Sequence, residues 1–222
     1  MREAIANGVA IEILLTDGRA PALAGQARAA GASVHEGSEG VLEAASPVRT
    51  PSGVVALARW KTTPLADTLT VTGADPYWLG LAGVQDPGNV GSAIRAADAL
   101  GAAGVLAFEG TANPRGWKTL RGAMGSSFHL PVARCGIDDA LADARRRGIA
   151  VVASVASGGA SIDGADFRGP TLLLVGGEGN GLAPAIVSKA DHRVTVPMKA
   201  GVDSINVAVT AAILLYEARR QR

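Results

Sequence analysis

The stretch LLLVGGEGNGLAP, residues 172–184, runs an apolar segment straight into glycines at 176, 177, 179 and 181, with Glu178 held among them. Such a run reads as a strand buried on both faces, and a glycine-rich turn at its end as backbone brought close to something. Two nucleotide-binding patterns fail here. A dinucleotide fingerprint through Gly177 and Gly179 needs a third glycine where Leu182 stands, and no Gly-Lys-Ser/Thr makes a phosphate loop. A nicotinamide-dependent oxidoreductase would therefore rest on glycine content alone. What survives is a tight loop holding one carboxylate at the carboxyl end of a buried strand, where ligands gather in open parallel sheets.

On both sides of this stretch the same kind of strand recurs. YWLGLAGV (77–84), GVLAFEG (104–110), IAVVASVA (149–156) and RVTVPM (193–198) alternate with the helical segments NVGSAIRAADALG (89–101) and DDALADARRRG (138–148). A long helix, SINVAVTAAILLYEARRQR (204–222), closes the chain. Strand–helix alternation with apolar strands implies an α/β fold, a mostly parallel sheet covered by helices on both faces. Ahead of it, AIEILLTDG, PALAGQARAAG, ASVHEG, SEGVLEAAS and GVVALAR read as strand, helix, strand, helix and strand of a smaller α/β unit over residues 1–60. The Thr-rich residues 61–75, broken by Pro64, read as the connection to a larger domain over 76–222.

Composition excludes several classes. The chain has 222 residues, 48% of them hydrophobic, which suffices for a substantial core and argues against disorder. No apolar run reaches the roughly 18 residues of a membrane span, and the N-terminus lacks a signal-like pattern, so a cytoplasmic location is expected. The single cysteine, Cys135, rules out an internal disulfide, and His35, His129 and His192 lack ligand spacing, so no metal is expected. A net charge of +1 gives no global case for nucleic acid. Local clusters exist at Arg145–Arg147, where a solvated helix face is the ordinary reading, and at Arg115, Lys118 and Arg121, which lie in a glycine-containing loop.

Two further loops carry candidate chemistry. In QDPGNVGSAIRAADALG, residues 85–101, Pro87 and Gly88 form a turn and Asn89 is expected to cap the helix that follows. Arg95 sits six residues on, either solvated or placed to meet an anion. In VPMKAGVDSINVAVTAAILLYE, residues 196–217, Asp203 or Ser204 is expected to cap the last helix, with Asn206 in its first turn.

In this order and at these spacings, DPGNVGSAIRAADALG, LLLVGGEGNGL and VPMKAGVDSINVAVTAAILLYE resemble the three signatures of the SpoU (TrmH-like) family of RNA ribose 2′-O-methyltransferases, within the SPOUT superfamily. LRGAMGSSFHLPV (120–132) is similar to the family's loop between the first two signatures, and the resemblance covers residues 77–219. SPVRTPSGVVALA (46–58) is similar to the end of the small substrate-binding domain of many members, an RNA-binding fold like that of ribosomal protein L30e. Relatives carry a further strand and helix ahead of REAIANG, so this small domain is expected to begin inside a helix or upstream. Position 177 departs from the pattern, being Gly where many relatives have Asn.

The resemblance implies a C-terminal trefoil knot, a homodimer with its active site near the subunit interface, and S-adenosylmethionine as cofactor. It implies a catalytic pocket of Asn89, Arg95, Glu178, Ser204 and Asn206. The methyl donor would be surrounded by Ser154, Val155, Ala156, Gly177, Gly179, Leu182, Val196, Met198, Ser204 and Ile205, and Arg115, Lys118 and Arg121 would touch RNA. The expected reaction is methyl transfer to a ribose 2′-hydroxyl, in 23S ribosomal RNA by the two-domain layout. A transfer RNA substrate, or a member of the fold that binds RNA without modifying it, stays open as an alternative.

Overall fold

The computed structural model describes residues 1–48, 50–73 and 75–222. It divides into two compact units, Met1–Lys61 and Thr62–Arg222. The similarity drawn over residues 46–58 includes Arg49, and the expected connection includes Ala74; both lie outside the described residues.

In the first unit, α1 (Arg2–Ala6), β1 (Ala10–Thr16), α2 (Pro21–Ala29), β2 (Ser33–Glu36), α3 (Glu39–Ala45) and β3 (Val54–Arg59) follow in order. β1 is central, parallel to β2 and antiparallel to β3. Ile11, Leu14, Leu23, Ala27 and Leu42 form its small interior. The expected strands and helices of this unit are all present, and α1 is a short helix over REAIA at its start.

The second unit contains α4 (Leu65–Thr68), β4 (Tyr77–Ala82), α5 (Pro87–Ala99), β5 (Gly104–Ala107), α6 (Trp117–Ala123), β6 (Val132–Arg134) and α7 (Ile137–Arg146). It continues with β7 (Ala150–Ser154), β8 (Ala160–Ser161), β9 (Thr171–Gly176), α8 (Pro184–Val187), β10 (His192–Thr195) and α9 (Val207–Arg220). Its seven strands lie in the order β6-β5-β4-β9-β7-β10-β8, and every pairing is parallel.

Side chains on a strand alternate faces, so each central strand feeds two cores. Leu79, Leu81, Leu173, Val175 and Val152 meet α5 and α9 on one side, through Val90, Ile94, Ala211, Leu214 and Leu215. Trp78, Leu172, Leu174, Leu106 and Val151 meet α7 on the other, through Ala140, Leu141 and Ala144. This two-sided burial is why β4 and β9 read as unbroken apolar runs.

Three local expectations change. Residues 61–75 are not merely a connection: the Thr63 N–H donates to the Val132 carbonyl, Trp78 Nε1 donates to the Thr68 carbonyl, and Leu69 is fully buried. The cap of α5 is Asp86, whose carboxylate accepts the Asn89 N–H at 2.8 Å, so Asn89 is already inside the helix and its side chain is released for other work. The cap of α9 is Asn206, whose Oδ1 accepts the N–H groups of Ala208 and Val209, and not Asp203 or Ser204. In both helices the true cap presents a free carbonyl-type oxygen at the position where the backbone turns into the helix.

α6 lies directly on α5. A Cβ at Gly91 would stand 2.5 Å from the Thr119 carbonyl oxygen and 2.8 Å from the Ala123 nitrogen, and one at Gly122 would stand 3.2 Å from the Gly88 carbonyl oxygen. Only glycine permits that backbone approach.

Candidate active site

The carboxyl ends of β9, β7 and β10, three neighbouring strands, open into one cavity of about 580 Å³. Such a volume falls in the usual range of small-ligand sites, roughly 300–1,000 Å³. β7 delivers Ser154 and then Val155 and Ala156; β9 delivers the glycine loop from Gly177 to Leu182; β10 delivers Val196 and Met198; and the segment entering α9 delivers Ser204 and Ile205. All ten residues expected around a methyl donor thus line one cavity. The lining also includes Gly176, Asn180, Gly181, Val207 and Thr210, which the sequence motifs do not single out as donor contacts. Thr210 carries a signal: it follows Asn206 by one helical turn, and its hydroxyl donates to the Asn206 carbonyl.

Much of this wall is backbone and small side chains, so its recognition groups are peptide N–H and C=O. Gly177 donates to the Ala82 carbonyl and Gly181 to the Gly177 carbonyl, fixing the loop to the end of β4 and to itself. Val155 donates to the Val194 carbonyl and ties the β7 and β10 ends together.

At the cavity's edge, three side chains distant in sequence form a directed chain. Asn206 Nδ2 donates to Asn89 Oδ1 at 3.0 Å, and Asn89 Nδ2 donates to the Glu178 carboxylate. Both ends dictate the direction. A carboxylate only accepts, so the Asn89 amide nitrogen must face Glu178 and its oxygen must face Asn206. Asn206 then presents nitrogen to Asn89 and keeps its oxygen for the first N–H groups of α9. The chain fastens the glycine loop to the starts of α5 and α9, which makes Asn89, Glu178 and Asn206 positioning groups for the cavity wall. Ser204 lines the cavity nearby.

Arg95 stands apart from the cavity lining. It is exposed on α5, about 9 Å along the helix axis from Asn89 at 1.5 Å per residue. Among the described residues it has neither a hydrogen bond nor an ion pair. Its guanidinium is therefore available to an anion approaching from solvent. Arg115, Lys118 and Arg121 are also exposed, at the start of and along α6.

Among the described residues, no group of three or more His, Cys, Asp or Glu side chains is arranged to hold a metal. Burial, with help from Glu109 and Asp139, pushes the Cys135 thiol up to about 11, so it is protonated at neutral pH and a poor nucleophile. No described helix is long and apolar enough to cross a membrane.

Comparison with known proteins agrees with this architecture. Residues 76–216 match the model of the SpoU rRNA Methylase family. Over 182 residues the chain is 36% identical to the 23S rRNA (guanosine(2553)-2′-O)-methyltransferase RlmP of Bacillus subtilis, spanning 82% of this chain and 71% of that protein. It is 40% identical over 142 residues to the 23S rRNA (uridine(2479)-2′-O)-methyltransferase of Streptomyces viridochromogenes, spanning 61% of this chain and half of that one. Among solved structures, an AdoMet-bound rRNA methyltransferase from Sinorhizobium meliloti superposes with a TM-score of 0.89 at 31% identity, covering 99% of this chain and 83% of that one. With the family match running from the start of β4 well into α9, the chain belongs to the SpoU rRNA methylase family.

Proposed function

We propose that this chain is an S-adenosylmethionine-dependent RNA methyltransferase acting on a ribose 2′-hydroxyl of 23S ribosomal RNA. The observation that carries the proposal is the single backbone-lined cavity at three parallel strand ends, latched by Asn206, Asn89 and Glu178. The names of the ribosomal RNA relatives and the AdoMet-bound structural neighbour support the same reading.

The residues present suit such a donor. Small residues let backbone N–H and C=O groups reach a purine and a ribose, and Leu182, Val196 and Val207 offer apolar walls. When bound, S-adenosylmethionine supplies an electrophilic methyl group on a sulfonium sulfur. The chain's task is to bring the 2′-oxygen in line with that methyl and to accommodate the hydroxyl proton. Arg95 is assigned to gripping an adjacent phosphate and thereby aligning the hydroxyl. It is not assigned as the base, because a guanidinium stays protonated in proteins. A phosphate held there would assist departure of the hydroxyl proton.

Methyl-labelled S-adenosylmethionine, incubated with the protein and separately with unmodified 23S ribosomal RNA and with transfer RNA, tests the proposal. Label at an alkali-resistant linkage in ribosomal RNA is the expected result. Label in transfer RNA alone would move the substrate, and donor binding without transfer to either would favour a non-catalytic RNA binder.

A second copy of the chain is proposed to cover the open groove between α5 and α9. This groove of about 520 Å³ is lined by Ala96, Ala208, Ala212 and Ile213, and Val209 and Tyr216 leave large apolar surfaces exposed on it. Asn89 and Asn206 lie along it too, so a subunit seated there would border the cavity. Val209→Asp is expected to halve the mass measured by light scattering at micromolar concentration and to reduce methyl transfer. A native mass that does not change on this substitution would refute the assignment.

A further inference from the structure

The segment from Gly110 to Ile137 carries Arg115, Lys118, Arg121 and Arg134 and not one Asp or Glu. In its middle, α6 presents a tryptophan to solvent. Trp117 is 40% exposed, although indole is among the side chains that gain most from burial. Lys118 Nζ lies 5.5 Å and the Arg121 guanidinium carbon 6.0 Å from its ring centroid. Trp117, Arg121 and Met124 follow one another at four- and three-residue spacing, which puts them on one stripe of the helix.

Met124 adds an independent observation. It is the one non-glycine residue with positive φ among the described residues, at +52°, and it closes α6 in the left-handed conformation. Glycine is the usual occupant of that position, since a Cβ there crowds the neighbouring carbonyl oxygen. Yet the side chain is 68% exposed, so packing in the interior does not compensate for it. A strained, exposed, apolar residue beside an exposed indole marks a surface that meets something.

We infer that Trp117, flanked by Lys118 and Arg121 and extended by Met124, is a stacking platform for an unpaired RNA base, its cations holding the adjoining phosphates. The inference rests on the reading of the chain as an RNA methyltransferase and names a contact for that substrate. An aromatic face accepts any base, and neighbouring cations track the backbone, the pattern used on single-stranded nucleic acid. The platform is rigid because its opposite side is anchored: Thr119 and Ala123 are fully buried against α5, and the Thr119 hydroxyl donates to the Asn113 carbonyl at 3.0 Å. α5 also carries Asn89 and Arg95, so a base held on α6 belongs to the strand that approaches the cavity. The absence of carboxylates from the segment favours RNA over a protein partner.

The test compares a short single-stranded oligoribonucleotide with an abasic oligomer of the same length, binding each to wild-type protein, Trp117→Ala and Trp117→Phe. One stacked base is worth about 5- to 160-fold in affinity. The wild type is expected to prefer the base-bearing oligomer by a factor in that range, Trp117→Ala to lose the preference, and Trp117→Phe to keep most of it. Lys118→Ala with Arg121→Ala is expected to weaken both oligomers alike and to flatten the salt dependence. A Trp117→Ala protein that binds S-adenosylmethionine normally and still prefers the base-bearing oligomer overturns the inference. Base-dependent binding through Trp117 without methyl transfer by the wild type would instead count against the catalytic reading alone.

Discussion

Replacing Gly176 by alanine is expected to remove measurable S-adenosylmethionine binding and to lower the melting temperature by several degrees. A Cβ at this position would lie 2.0 Å from the Gly181 carbonyl carbon, 2.2 Å from the Leu182 nitrogen and 2.4 Å from the Gly181 oxygen. All three are backbone atoms, so no rotamer change relieves the collision, and residues 181–182 must be displaced by more than an ångström. Overpacking of this kind typically costs about 1–3 kcal/mol. At roughly 2–4 °C per kcal/mol for a chain of this size, that predicts a fall of about 2–12 °C. The displaced residues are also cavity wall, so donor affinity should fall by more than stability alone would suggest. Gly179→Ala supplies the contrast. Gly179 has φ +87°, but a Cβ there would meet no atom within 4 Å, so that variant bears only backbone strain. Calorimetry on the two variants separates collision from strain. Equal behaviour of both would show that the close approach at Gly176 is not what shapes the cavity.

The contrast between these glycines also marks where the sequence was legible and where it was not. The loop 172–184 announced a close backbone approach, because an apolar run that ends in four glycines gives up side chains where the chain would otherwise pack them. It did not say which glycine is crowded, since Gly181 and Leu182 return onto Gly176 only in three dimensions. The same limit explains the caps. Asp86 and Asn89 are both good capping residues three positions apart. Pro87, a residue suited to the first helical position, was the signal that Asp86 is the cap. Once Asp86 takes that role, Asn89 is free to join Glu178 and Asn206, partners 89 and 117 residues away whose pairing no local pattern encodes. Central strands β4 and β9 were legible because burial on both faces leaves an uninterrupted apolar run. The short edge strands β6 and β8, of three and two residues, carry too few side chains to show a period. Helix α4 was hidden inside a Thr-rich segment, although Leu65 and Leu69 stand one helical turn apart there.

Changing Arg95 to lysine is expected to cut turnover about 100-fold while leaving the affinity for S-adenosylmethionine unchanged. Arg95 does not line the donor cavity and is exposed among the described residues, so the donor should not sense the substitution. Lysine keeps the charge, and simple attraction of RNA would therefore survive. What lysine lacks is the planar fork that holds a phosphate through two parallel hydrogen bonds and fixes its orientation. If that grip aligns the 2′-oxygen with the methyl group, its loss falls on kcat, and 100-fold corresponds to about 2.7 kcal/mol of transition-state stabilisation. The competing role, Arg95 as the base that removes the hydroxyl proton, leads to a different pH profile. A base that stays almost wholly protonated through the neutral range gains its free form about tenfold per pH unit, so turnover of wild type and variant alike would climb with that slope. With Arg95 as a phosphate clamp, the guanidinium keeps its proton and neither profile carries that climb, the two staying offset by a constant factor. Single-turnover rates measured from pH 6 to 9 with donor saturating decide the matter. A tenfold rise per pH unit would transfer Arg95 to the proton-removing role, and variant turnover equal to wild type would eliminate the clamp.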